Sequence, residues 1–80
     1  MRTTVYRLQY FVRNDIGELS GGLVESATSA AEAVSKASLL ARLKPGVVAF
    51  HRTLDQASGQ FGPPIKLAEF GDVPEDLSAF

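Results

Sequence analysis

The chain has 80 residues, 45% apolar and 21% charged, with a net charge of −1 and no cysteine. That is one small domain of ordinary globular composition, near the lower size limit for folding without staples. Disorder of the whole chain, a disulfide framework and a thiolate metal site are excluded.

Residues 4–13 alternate, with Tyr6, Leu8, Tyr10 and Val12 on one side and Val5, Arg7, Gln9, Phe11 and Arg13 on the other. Successive side chains of a strand point to opposite faces, so this is a half-buried first strand with the Tyr6 set turned inward. Arg7 and the alternation also distinguish it from the apolar run of a signal peptide. Asn14-Asp15-Ile16-Gly17 reads as a hairpin turn. Residues 18–25 return as the second strand, where Gly21-Gly22 predicts a bulge or a close backbone approach.

A helix is predicted over residues 29–42. Ser29-x-x-Glu32 is a capping box at its start, and Lys44-Pro45-Gly46 stops it. Ala30, Ala33, Val34, Ala37, Leu40 and Ala41 form one stripe, small enough to lie close against a sheet. Glu32 and Lys36 sit opposite at a favourable spacing. Leu39 and Leu43 fall on the polar side, where they either wrap over the helix end or touch a second molecule.

Residues 46–54 read as the third strand, with Val48, Phe50 and Leu54 inward and Val47, Ala49, His51 and Thr53 outward. The stretch 55–59 has the composition of a type I turn ending in a left-handed glycine. Gln60-Phe61 pairs briefly before Gly62-Pro63-Pro64 interrupts the ladder, which places this segment at a sheet edge. Residues 65–70 form the fourth strand. Beyond Gly71, Asp72-Val73-Pro74-Glu75 has the residues to start a helical turn.

The expected fold is therefore α+β in ββαββ order: an antiparallel sheet of three or four strands with one helix on one face. A single domain spans residues 1–71, followed by an acidic tail at 72–80. Tyr6, Leu8, Tyr10, Val12, Leu23, Val34, Ala37, Leu40, Val48, Phe50 and Leu67 form the expected core. No stretch approaches the roughly 18 apolar residues of a membrane span. Together with the lack of cysteine, this makes a soluble cytoplasmic protein the expectation.

Nothing in the chain assembles a catalytic constellation. His51 is the only imidazole, there is no thiol, and no Gly-x-Ser-x-Gly turn surrounds any serine. One histidine with scattered carboxylates has no metal-ligand spacing. Val73-Pro74 breaks any calcium-loop alternation among Asp72, Glu75 and Asp76. Gly21-Gly22 lacks the lysine or third glycine of a phosphate loop. The expectation is a non-enzyme without cofactor or metal.

Two binding readings remain. Val5, Phe11, Val47 and Ala49 would leave an apolar strip on an uncovered sheet face, which small proteins cover with a second copy or their own tail. A protein-interaction module that pairs with itself or with another protein is therefore the leading reading. The alternative is nucleic acid on the same face, with Arg7, Phe11 and Arg13 near His51 neutralising phosphates and stacking bases. The candidate surface is Val5, Arg7, Phe11, Arg13 and His51, with Leu39 and Leu43 on the helix. Charge adds a third possibility. Residues 1–13 carry Arg2, Arg7 and Arg13 with no acid, whereas residues 67–80 carry Glu69, Asp72, Glu75 and Asp76 with no base. The tail is suited to cross the basic first strand, with Phe80 as an anchor.

Residues 49–76 contain Ala49-Phe50-x-Arg52-Thr53-x-Asp55, Ser58-Gly59-x-Phe61 and Leu67-Ala68-x-Phe70-Gly71-x-Val73-Pro74-Glu75-Asp76. This pattern resembles small uncharacterised proteobacterial proteins, which implies a bacterial origin but no activity, cofactor or site residue. Leu54-Asp55-Gln56 stands where Gly-Asp-Pro is expected at the turn. In element order alone the chain also resembles antitoxins of the HicB type, which implies a protein partner.

Overall fold

The computed structural model describes residues 2–74. Among them the elements run β1 (Arg2–Arg13), β2 (Leu19–Ala27), α1 (Ala30–Leu40), β3 (Gly46–Asp55), β4 (Gln60–Phe61) and β5 (Ile65–Gly71). They form an α+β domain in which all strands pair antiparallel in the order β2-β1-β3, with β4 and β5 both along the far side of β3. The predicted interruption at Gly62-Pro63-Pro64 separates the brief Gln60–Phe61 pairing from the expected fourth strand, so the sheet holds four main strands and this two-residue fifth. Gly59 takes the expected left-handed conformation at φ 72° and donates to the Asp55 carbonyl at 2.7 Å.

The β1–β2 hairpin is closed by Asn14, whose side-chain oxygen accepts from the amides of Ile16 at 3.1 Å and Glu18 at 2.9 Å. Further along, Gln9 faces Val24 but Phe11 faces Gly21, so Gly22 and Leu23 together oppose Tyr10. This is the predicted bulge, and the close approach is there too. A Cβ on Gly22 would fall 2.1 Å from Cε2 of Tyr10, so the ring occupies that space. The extra residue breaks the alternation of β2. Leu23, expected in the core, is consequently 74% exposed.

Ser29 caps α1 by accepting from the Glu32 amide at 3.1 Å, as the capping box predicts. Ala33 and Ala37 are fully buried on the predicted stripe, and with no bulk beyond Cβ they bring the helix axis close to the sheet. They pack on Leu8, Val47 and Ala49, flanked by Tyr6, Tyr10, Val34, Leu40, Leu67 and Phe70.

The facing of β3 is the reverse of the expectation. Leu8 pairs with Ala49, Tyr10 with Val47 and Tyr6 with His51, and directly paired residues share a face. Val47 and Ala49 therefore lie beneath the helix rather than on an open strip. Val48 and Phe50 are buried as expected, but on the opposite face, in a second cluster with Phe11, Leu19 and Val73. Residues 46–50 are buried on both sides, which produces an unbroken apolar run with no alternation to reveal its facing.

The start of β3 and the end of β5 cross closely. A Cβ on Gly71, which sits at φ 71°, would lie 2.1 Å from the Pro45 carbonyl oxygen. The Asp72 amide donates to that same oxygen at 3.0 Å. Residues 72–74 leave the sheet as non-helical chain, and the helical turn expected to start from them lies beyond the described residues. The expectations placed on Glu75, Asp76 and Phe80 lie outside the described residues.

Candidate interaction surfaces

The expected surface set does not stay together. Phe11 is 0% exposed within the second cluster and cannot serve as a stacking platform. His51 lies on the helix side, its ring tilted against Tyr6 at a centroid distance of 6.4 Å. It is therefore on the opposite face from Arg7. Arg13 is committed locally, with Nε on Asp72 at 3.2 Å and Nη1 donating to the Gly17 carbonyl at 2.7 Å. The Arg13–Asp72 contact joins the basic first strand to the first residue of the acidic stretch. Both side chains are about half exposed, so its worth is at most about 1 kcal/mol.

Val5 and Arg7 remain on the face opposite the helix. Arg7 pairs with Phe50 and Val5 with Arg52, so the two arginines are diagonal neighbours on one face. Arg7 Nη1 donates to the Ser26 hydroxyl. Arg52 Nε donates to the Gly62 carbonyl at 2.8 Å, and its guanidinium carbon lies 5.1 Å from the centre of the Phe61 ring. Arg7, Val24, Phe50, Arg52, Phe61 and Pro64 line a groove of about 190 Å³. Arg52 was missed as a surface candidate because the reversed facing of β3 hid it, and Phe61, on the two-residue β4, was given no facing at all. Arg52 lies two residues past Phe50, so correct facing would have placed it beside Arg7.

Leu39 and Leu43 are 60% and 80% exposed, so they do not fold back over the helix end. With Leu8, Leu40, Glu25 and Lys36 they line a second groove of about 330 Å³ between α1 and β2. Leu23 lies two residues from Glu25 along β2 and adds to the apolar exposure of that side. Lys36 is held by Glu32 at 3.0 Å. Hydrogen bonding from Thr28, then the contact with Lys36, holds the Glu32 carboxyl below its usual range.

Among the described residues no group of three or more His, Cys, Asp or Glu is placed to hold a metal ion. No helix among them is long and apolar enough to cross a membrane. No family model matches the chain, nor does any curated protein or solved structure.

Proposed function

We propose that this chain is a non-enzymatic, cytoplasmic protein-interaction module that pairs with a second copy of itself through the leucine groove between α1 and β2. The observation that carries this reading is the pair of large exposed apolar side chains in that groove, Leu39 and Leu43, with Leu23 exposed on the neighbouring strand β2. Water-exposed leucines gathered in one place favour burial against a partner, at about 1.5–3 kcal/mol for each side chain fully covered. The outer edge of β2 borders the groove and has no strand partner among the described residues. The bulge at Gly22 and Leu23 interrupts that edge, so the leucines rather than a long ladder carry the contact. Glu25 and Lys36 flank the leucines with opposite charge, which suits a two-fold pairing in which each surface meets its own copy.

Sedimentation equilibrium across a wide dilution series tests the reading. The expected result is a concentration-dependent doubling of mass that survives high salt and is abolished by Leu39→Glu with Leu43→Glu. A strict monomer at about millimolar concentration would refute it. The nucleic-acid alternative loses support because Phe11 is buried and Arg13 is paired with Asp72.

A further inference from the structure

The groove on the face opposite the helix carries a feature the leucine contact does not use. Arg7 and Arg52 are diagonal neighbours there, a spacing of about 7–8 Å between backbones. Neither has a carboxylate partner among the described residues, where the ion pairs are Arg13–Asp72, Lys36–Glu32 and Lys66–Glu69. Two like charges side by side on a sheet repel each other. Each is nevertheless held in place, Arg7 by Ser26 and Arg52 by the Gly62 carbonyl and the Phe61 ring. Preorganised guanidinium groups with donors to spare are suited to a carboxylate, which can accept from both forks.

The remaining walls narrow the ligand. Besides the arginines, Phe50, Phe61, Val24 and Pro64 line it, with Gln9 as the one other polar side chain. An inorganic anion would leave that apolar surface unused. At about 190 Å³ the groove is below the ~300–1,000 Å³ of ordinary small-molecule sites. It suits the contact of a short peptide, a carboxylate with part of an adjacent apolar side chain, rather than a base with its sugar. We propose that this groove binds an acidic peptide segment of a protein partner, seating a glutamate or aspartate carboxylate between Arg7 and Arg52 and a neighbouring apolar side chain against Phe50 and Phe61.

Titration of the full chain with a short capped peptide of alternating glutamate and leucine, followed by calorimetry and amide NMR, tests the site. The expected result is saturable binding with shifts at Arg7, Arg52 and Phe61, weakened by salt. The same peptide with glutamine for glutamate should bind at least about tenfold more weakly, and Arg7→Gln or Arg52→Gln should each cost a similar factor. Leu39→Glu with Leu43→Glu should leave the affinity unchanged, since those leucines line the other groove. Equal binding of the glutamine peptide to the unaltered protein would overturn the proposal without relying on any variant's folding. So would tighter binding of a short oligothymidylate, free glutarate binding as well as the peptide, or loss of binding in the leucine variant.

Discussion

Phe11 separates a surface role from a structural one most sharply. Its ring is fully buried with Val48 and Phe50, on the face that the helix does not cover. Truncating such a ring removes its transfer free energy and leaves a cavity, at a cost of about 3–5 kcal/mol. A domain of this size has a total stability of about 4–12 kcal/mol, taking ~0.05–0.15 kcal/mol per residue. Phe11→Ala should therefore remove a large part of the stability. At ~4–8 °C per kcal/mol, the melting temperature should fall by at least about 12 °C. Phe11→Leu, which keeps most of the volume, should cost less than about 1.5 kcal/mol. Urea unfolding followed by circular dichroism gives these values directly. All proteins must be compared at one concentration, because self-association would add stability by mass action. A Phe11→Ala protein within 1 kcal/mol of the parent would place the ring on the surface and refute the second cluster.

Gly22→Ala puts a methyl group into the Tyr10 ring, which must then move and disturb its contact with Lys44, whose ammonium lies 4.5 Å from the ring centre. The expected cost is about 1–3 kcal/mol, with displaced Tyr10 ring resonances; an unmoved ring would contradict the close approach. Ser29→Ala removes the acceptor for the Glu32 amide and should cost about 1 kcal/mol in urea unfolding, whereas Ser29→Asp should restore most of it. Glu32 has a folded-state pKa below its ordinary value of 4.5. Its contribution is therefore present above that value and is lost as pH falls through the lower folded one. Glu32→Gln should flatten the stability profile in that acid window and leave the slope near neutrality unchanged.

Most of the architecture is written in local chemistry. The Ser29 cap, the Asn14–Gly17 turn, the left-handed Gly59 and the paired prolines each impose a backbone geometry whatever the rest of the chain does. The facing of β3 is different in kind. Nothing within residues 46–50 distinguishes a strand buried on one face from one buried on both, and only pairing with β1 decides it. That single reversal moved Val47, Ala49 and His51 to the helix side and brought Arg52 beside Arg7. Leu23 shows the same limit. Its exposure depends on how Tyr10 and Gly22 meet across two strands, although the glycine pair did point to an irregularity there. Leu39 and Leu43 were legible as lying off the buried stripe, but the helical period did not decide whether they wrap over the helix end or stay exposed.

The two borders of the sheet are built unequally. Beyond β3 the ladder is severed at Gly62-Pro63-Pro64, the register slips at Leu67, and Lys66 and Glu69 are linked at 3.0 Å along β5. Proline, irregular register and charge each discourage an approaching strand. The β2 edge is interrupted in its own way, by the bulge at Gly22 and Leu23, so the two edges resist extension of the sheet by different means. A pairing through the leucine groove would then add no strand to either sheet, and bulge, proline and charge together discourage the edge-to-edge growth from which fibres form.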